Sequence, residues 1–420
     1  MLFDILLALP FVFLLLAIAL MPFFFSHWWH KNYPKLVVVL SVIILAYYLI
    51  FKGEPMEVWH SVHEYISFIC LLFSLFVVSG GIFIGLKGKS TPFKNFIFLS
   101  IGAVISNLFA TTGAAMLMIR SFINFNKYRI QPFHIIFFIF IVCNVGGSLT
   151  PIGDPPLFLG FLRGVPFFWV TEHLIGIWSI TIAYLLILFF IFDYINYKRI
   201  PADSREDMKD EEGSFQFLGW YNILFLFAII GAVFVTEPIF MRELIMLGVA
   251  FLSYRLTPKK IKELNNFNFE PIREVAILFF GIFVTMIPAL HLLSENAENL
   301  GLAHPGDFFF VTGFLTSFLD NAPTYLNFLT VSMSLFGLDV VQPNDVVAFT
   351  QLHPQFLVSI SVSAVFFGAM TYIGNGPNFM VKSIADFNKI KMPSFLQYIY
   401  KYSLVILLPF YIILWYFLFR

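Results

Sequence analysis

Residues 150–158 read TPIGDPPLF, and residues 371–379 repeat this stretch as TYIGNGPNF, with five of the nine positions identical. Both copies interrupt apolar runs. Proline lacks an amide donor and glycine loses backbone entropy in a helix, so each copy predicts a broken helix. In hydrocarbon such a break is stable only where it is buried in protein or lines a wet cavity. Paired breaks in the two halves of a membrane chain indicate a transport site.

The composition predicts a polytopic helical membrane protein. The 420 residues are 59% hydrophobic and 12% charged, with a mean hydropathy of +0.86, which excludes an ordinary soluble domain. A helix needs about 20 residues to cross roughly 30 Å of hydrocarbon. Ten apolar runs are candidate spans, at 5–25, 36–51 (short), 65–86, 134–149, 173–194, 217–236, 244–256, 275–293, 356–373 and 403–419.

Charge and cysteine content exclude several function classes. The formal net charge is zero, so nothing indicates a nucleic-acid partner. The two cysteines, Cys70 and Cys143, lie inside apolar runs and give neither a disulfide framework nor a metal cluster. The expected partners are the lipid bilayer and small ions, and no cofactor is expected. The first apolar stretch has no basic region before it and is interpreted as a span, not a removable signal.

The distribution of basic residues predicts the topology. If residues 94–119 and 306–336 form hairpins that enter and leave on one side, 21 of the 25 Lys and Arg residues fall on one face. Basic residues collect in the cytoplasm, so both termini are predicted outside it. The predicted location is a bacterial inner membrane.

The same arrangement predicts an all-α inverted-topology repeat of about ten spans, with two re-entrant hairpins and two broken helices. Residues 1–196 give three spans, a cytoplasmic hairpin, a broken span and one further span. Residues 215–420 repeat this order from the opposite side, with the hairpin on the outer face. The hydrophilic residues 197–214 are interpreted as a cytoplasmic linker.

Polar residues mark the predicted hairpin tips and breaks. A re-entrant turn strands backbone groups that Asn, Ser and Thr side chains satisfy, so helix capping alone accounts for many of them. The alternative is that their oxygens bind a transported ion. The candidates are Ser106, Asn107, Thr111, Thr112, Asn321 and Thr324 in the hairpins, and Asn144, Thr150, Thr371 and Asn375 at the breaks.

Asp154 and Asp320 are the strongest candidates. An ionised Asp at the centre of a membrane helix costs about 2.5–3.5 kcal/mol on insertion scales. A neutral Asn would cap a turn nearly as well, so capping does not readily explain Asp320. Burial favours the protonated form of a carboxylate, whereas a bound cation favours the ionised form. Each Asp is therefore predicted to hold a proton or Na⁺ in turn, and Na⁺ is the proposed metal.

The breaks should supply further oxygen ligands. Carbonyl groups freed near a helix C-terminus suit a hard cation such as Na⁺. Gly146 and Gly147 equally suit close helix packing. The histidines His134, His291 and His353 lie near predicted span ends and are interpreted as interfacial residues, with proton relay as the alternative.

Together these motifs resemble the ion transporter superfamily, in particular NhaD-type sodium/proton antiporters and the related putative citrate transporters. The resemblance implies a scaffold domain and a transport domain, a homodimer and an elevator-like movement. In the dicarboxylate branch both hairpin tips carry a Ser-Asn-Thr signature. Ser106, Asn107 and Thr111 match it with the Thr displaced, and Asp320 departs from it. A fixed negative charge there disfavours a carboxylate substrate.

The leading hypothesis is a secondary transporter, not an enzyme, that exchanges Na⁺ or Li⁺ for H⁺ by alternating access. The alternative is a citrate, dicarboxylate or arsenite-like anion carrier. Such a carrier needs a cation facing its substrate, and neither hairpin tip nor break contains Lys or Arg. A remote alternative is an intramembrane aspartyl protease that uses Asp154 and Asp320, but the sequence lacks the Tyr-Asp and Gly-x-Gly-Asp settings of that class.

Overall fold

The chain is polytopic and almost entirely helical. The computed structural model describes residues 2–199, 213–235 and 237–420. Within these ranges, eight helices are long and apolar enough to cross a membrane, and a bent pair would make nine. Many large apolar side chains on the outer helices are exposed, as expected where they contact lipid instead of water. The prediction of a helical membrane protein is confirmed.

The described residues of the first half form seven α-helices and one strand. Pro92–Phe125 contains an internal break, and a short 3₁₀ turn at Val145–Leu149 follows the fifth helix. The bounds are α1 Leu2–Phe24, α2 Ser26–Ala46, α3 Pro55–Gly80, β1 Phe83–Lys87, α4 Pro92–Phe125, α5 Pro132–Ile141, α6 Pro155–Arg163 and α7 Trp169–Lys198.

In the described residues of the second half, one strand is followed by eleven α-helices. A 3₁₀ turn at Phe367–Met370 precedes its own break. The bounds are β2 Ser214–Leu218, α8 Asn222–Val233, α9 Met241–Leu256, α10 Lys259–Leu264, α11 Glu270–Glu295, α12 Pro305–Thr316, α13 Asn321–Ser334, α14 Pro343–Leu352, α15 Pro354–Phe366, α16 Gly376–Phe387, α17 Phe395–Tyr398 and α18 Leu408–Leu418.

The structure has eight or nine candidate spans among the described residues, whereas the sequence predicts ten, and helix length accounts for the difference. Helices α8 and α9 have 12 and 16 residues and are too short to be counted, whereas α4 is counted although it folds back on itself. Each of the ten predicted apolar runs overlaps a helix. The predicted start of the second span is wrong, because polar and aromatic residues extend α2 back to Ser26.

Helix α4 is a hairpin. Its 34 residues break at Ala110, where φ is 59° and ψ is 159°. The side-chain amides of Asn95 and Asn126, near its two ends, exchange hydrogen bonds of 2.8 and 3.0 Å. In a straight helix these residues would be about 46 Å apart, at 1.5 Å per residue. The chain therefore reverses at Ala110, as the polar tip predicts.

The second hairpin consists of α12 and α13. The chain turns between Thr316 and Asn321, and the rings of Phe308 and Phe328 on the two limbs lie 6.3 Å apart. Helix α12 packs along α15, and the first hairpin packs on the 3₁₀ turn at Val145–Leu149. Each hairpin thus lies against the broken helix of its own half.

A small antiparallel sheet connects the two halves. Strand β1 pairs with β2, with Phe83 opposite Leu218 and Lys87 opposite Ser214. Most of the predicted 197–214 linker, residues 200–212, lies outside the described residues. The division into 1–196 and 215–420, and the opposite orientation of the two repeats in the membrane, stay predictions.

Candidate functional site

The Asp154 carboxylate is the centre of the site. It is fully buried. Its Oδ1 atom accepts hydrogen bonds from Thr111 Oγ1 at 2.7 Å and Asn375 Nδ2 at 3.1 Å, and its Oδ2 atom accepts from Asn321 Nδ2 at 2.6 Å. These three donors come from the first hairpin, the second break and the second hairpin. All four re-entrant or broken elements therefore meet at one carboxylate.

The break before α6 points Asp154 towards the hairpins. Asp154 stands at the N-cap position of α6 in an extended conformation, yet its side chain caps no amide of that helix. Pro155 follows it and has no amide hydrogen to be capped. Asn375 has the same conformation at the N-cap of α16 and likewise leaves its helix uncapped. The two repeat positions thus direct their side chains away from their own helices.

Two threonines fasten the breaks to the hairpins in the same way. Thr150 Oγ1 donates to the backbone carbonyl of Asn107 at 2.6 Å, and Thr371 Oγ1 donates to that of Ser317 at 2.5 Å. Each hydroxyl also accepts a 3.1 Å hydrogen bond from the amide of the glycine three residues later, Gly153 or Gly374. The sequence repeat is therefore also a repeat of geometry.

The glycines of the first break are required by close backbone packing. A Cβ atom on Gly153 would collide with the carbonyl oxygen of Gly147. A Cβ atom on Gly146 would lie 2.9 Å from the Cα atom of Ala103 in the first hairpin. Both contacts involve backbone atoms, which cannot move aside as a flexible side chain can. The packing interpretation of Gly146 and Gly147 therefore fits the structure.

Four of the carbonyl groups at the breaks already accept a hydrogen bond from a neighbouring helix, and their role as cation ligands stays a prediction. The Leu149 carbonyl accepts from Thr171 Oγ1 at 2.5 Å, and its repeat counterpart at Met370 accepts from Ser403 Oγ at 2.7 Å. Trp178 and Tyr398 donate to Gly146 and Ala369. An unpaired carbonyl in a membrane interior costs several kcal/mol, so neighbouring helices satisfy these groups.

Asp320 differs from Asp154. It is half-buried at the N-cap of α13, where its Oδ1 atom accepts from the Ala322 amide at 3.1 Å. The Thr324 hydroxyl donates to the Asp320 carbonyl at 2.8 Å. The Asp320 carboxylate therefore caps the second limb of the hairpin, a role that a neutral Asn could fill nearly as well. That it also carries exchangeable charge stays a prediction.

The remaining predicted site residues support the hairpin tips. The Ser106 hydroxyl lies 2.8 Å from the carbonyl oxygens of both Gly102 and Val142 and donates its single hydrogen to one of them at a time. The side-chain oxygen of Asn107 accepts from the Leu149 amide at 2.8 Å. Neither Thr112 nor Thr324 bonds to Asp154 in the described part of the chain. Among the described residues, no group of three or more His, Cys, Asp or Glu could hold a metal ion.

Asn378 is a buried member of the network that the sequence analysis leaves out. Its Nδ2 atom donates to the carbonyls of Gly368 and Thr371, and its Oδ1 atom accepts from Asn144 Nδ2 at 2.8 Å. The available signal was the repeat itself, because Asn378 stands where the first copy has Leu157. A polar residue in place of an apolar one within a buried repeat indicates a specific partner.

A buried ionic cluster holds the base of the first hairpin. Asp193 accepts hydrogen bonds from Arg129, from His134 Nε2 at 3.0 Å and from Asn95 Nδ2 at 2.8 Å. The His134 side chain is fully buried in this cluster, and its interfacial depth in the membrane stays a prediction. Its charge partner, Asp193, lies 59 positions away, so no local pattern could reveal the pair.

Two further histidines have partners near the surface. His291 lies 2.7 Å from the Glu57 carboxylate, and His353 stacks on the ring of Phe336. A different buried ion pair joins α3 to α6, where Arg163 Nε lies 2.8 Å from Glu64 Oε1. The Arg163 side chain is largely buried.

Comparison with known families agrees with this architecture. The family described as "putative citrate transport" matches residues 2–419. The chain belongs to this family. A search of curated proteins finds no match to the chain. The resemblance to the ion transporter superfamily and its citrate branch is thereby confirmed, and family membership supports a membrane transporter.

Proposed function

We propose that the protein exchanges a monovalent cation, Na⁺ or Li⁺, for protons at Asp154. The observation that carries this proposal is the setting of the carboxylate. Asp154 is fully buried and receives hydrogen bonds from one hydroxyl and two amide groups, all neutral. In the described part of the chain no Lys or Arg pairs with it. A buried charge needs a compensating partner, and a proton or a small cation can supply it.

The surroundings of Asp154 suit alternating access. Thr111 and Asn321 belong to different hairpins, and each donates to a different carboxylate oxygen. Withdrawal of the second hairpin tip would free Oδ2 of its donor, whereas withdrawal of the first would leave Oδ1 with Asn375 as its donor. The transported ion replaces one of these donors at the carboxylate and leaves when the donor returns. An exchange that moves net charge would respond to the membrane potential by about 2.3 kcal/mol per charge per 100 mV.

Citrate transport is the second candidate, and the family description favours it. A cavity of about 310 Å³ lies among α3, α6, α11 and α13, at the far end of the α6 helix that begins after Asp154. Its lining includes Arg163, His60 and His291, which are nitrogen groups that a polycarboxylate can use. Glu57 and Asp339 line the same cavity and oppose an anion. The site at Asp154 itself offers no cation to a carboxylate substrate.

Everted vesicles with an imposed proton gradient distinguish the two candidates. Na⁺, Li⁺, K⁺ and citrate are added in turn to wild type, to Asp154→Asn and to the exposed control Glu263→Gln. Exchange of Na⁺ or Li⁺ predicts dissipation by those ions in wild type and Glu263→Gln, and none in Asp154→Asn. Dissipation of the proton gradient by citrate alone would instead support the second candidate, citrate transport.

The bacterial inner membrane, the external termini, the homodimer and the elevator-like movement belong to the same proposal. They are supported by the charge distribution and by the family resemblance. The transport domain would contain both hairpins and both breaks, since these four elements share the Asp154 site.

A further inference from the structure

The side-chain nitrogen of Asn375 lies near more hydrogen-bond acceptors than it has hydrogens to donate. Its Nδ2 atom lies 3.0 Å from the Cys143 carbonyl oxygen, 3.1 Å from Asp154 Oδ1 and 3.3 Å from Asn144 Oδ1. A carboxamide nitrogen carries only two hydrogens. At any moment one of the three acceptors therefore lacks a hydrogen from Asn375. The longest distance is to Asn144, which makes this the weakest contact of the three.

The orientation of Asn144 is fixed by a chain of amides that ends on backbone carbonyls. Asn378 must point its NH₂ group at Gly368 and Thr371, because their carbonyl oxygens can only accept. Its own oxygen then faces Asn144, whose Nδ2 atom donates to it at 2.8 Å and to the Ile139 carbonyl at 2.9 Å. The Asn144 oxygen is consequently left facing Asn375.

We infer that Asn144, held in this orientation by Asn378, is a reserve acceptor for the Asn375 amide. The inference rests on the proposed function, in which a cation binds at Asp154. When the cation takes Asp154 Oδ1, the Asn375 hydrogen that pointed there turns to Asn144 Oδ1. The buried N–H group then keeps a partner in both the empty and the loaded state. Asn144 and Asn378 are thus positioning residues, and Asn144 is not a cation ligand.

The cost of removing the reserve acceptor can be stated as an affinity change. An unpaired buried N–H in the loaded state corresponds to about a 5- to 150-fold loss of cation affinity. Asn144→Ala removes the acceptor, and Asn378→Leu introduces the residue of the first repeat and removes its orienting partner. Both should weaken Na⁺ binding, with the larger effect for Asn144→Ala. The double variant Asn144→Ala/Asn375→Ala also lacks the Asn375 donor, so no N–H group loses its partner when the cation binds. Adding Asn375→Ala to Asn144→Ala should therefore not weaken Na⁺ binding further.

The test measures Na⁺ binding to purified protein by titration calorimetry, together with the rise in unfolding temperature that Na⁺ produces. This rise compares the same variant with and without Na⁺, so a general loss of stability in that variant affects both measurements and cancels. Ser359→Ala is the control, because this buried hydroxyl bonds only to Phe356 in its own helix. Weaker binding in Asn144→Ala that does not add to the effect of Asn375→Ala supports the inference.

Two results would overturn it, and they are distinguishable. If wild type binds Na⁺ and both Asn144→Ala and Asn378→Leu bind it as well as Ser359→Ala does, the reserve-acceptor role is wrong while the proposed function stands. If wild type binds neither Na⁺ nor Li⁺, the proposed function fails and the inference fails with it. Should Asn144→Ala not fold, Asn378→Leu alone decides between these results.

Discussion

Replacement of Asp154 by Asn tests the electrostatic basis of the site. The substitution keeps the shape of the side chain and one acceptor oxygen but removes the negative charge. It also places an NH₂ group against hydrogen-bond donors, since Thr111, Asn321 and Asn375 all donate to the present carboxylate. At least one of the two amides must then turn to present its oxygen. Because these neutral side chains can hydrogen-bond to the new amide, we expect the Asp154→Asn protein to fold.

The expected loss of cation binding is large. Two unit charges 4 Å apart interact by about 4 kcal/mol at an effective dielectric constant of about 20. Because 1.36 kcal/mol corresponds to a tenfold change, removing the carboxylate charge should weaken Na⁺ binding about a thousandfold. Asp320→Asn is the matched comparison, because Asn caps a helix about as well as Asp does. Its effect through the cap should be under about 1 kcal/mol, or roughly fivefold.

The assay is the Na⁺ concentration that gives half-maximal dissipation of a proton gradient, with unfolding temperature as the check on folding. Asp154→Asn should show no saturation in the range where wild type saturates, while an effect of Asp320→Asn that is confined to the cap should leave half-saturation within about fivefold of wild type. A folded Asp154→Asn protein with wild-type half-saturation would refute the assignment of Asp154. Equal losses in both variants would show that Asp320 does more than cap α13.

Three further substitutions test the packing and the topology. Gly153→Ala should strongly lower the unfolding temperature, because the new Cβ would collide with a backbone carbonyl. Gly376→Ala should change the unfolding temperature little, because a Cβ there has no neighbour within 4 Å. Equal effects of the two substitutions would contradict the packing argument. Glu64→Gln should lower the free energy of unfolding by about 3 kcal/mol, because it leaves the buried Arg163 guanidinium unpaired. The charge-swapped variant Glu64→Arg/Arg163→Glu should recover part of this loss in a thermal melt. A cysteine at the exposed position Lys260 should react with an impermeant maleimide in everted but not in right-side-out vesicles, and the reverse pattern would contradict the predicted topology.

The repeat marks the two breaks that meet the hairpins at Asp154, but it did not predict the unequal contacts of the two acids. Asp154 and Asp320 look equivalent in sequence, since each lies among polar residues inside an apolar stretch. In the structure one carboxylate joins four elements and the other caps its own helix. Which role an acid takes depends on the direction of its side chain after a turn. That direction follows from how the hairpins pack against the breaks.

The sequence by itself determined that this chain is a helical membrane protein with two hairpins and two broken helices. Hydropathy, prolines and glycines act locally, so they can be interpreted without knowing what lies nearby in space. Only the tertiary structure decided that Asn378 orients Asn144, that side chains from later helices satisfy the carbonyls at the breaks, and that Asp193 pairs with Arg129. These contacts join residues far apart in the chain. They exist because a membrane interior offers no water, so most buried polar groups find their partners within the folded protein.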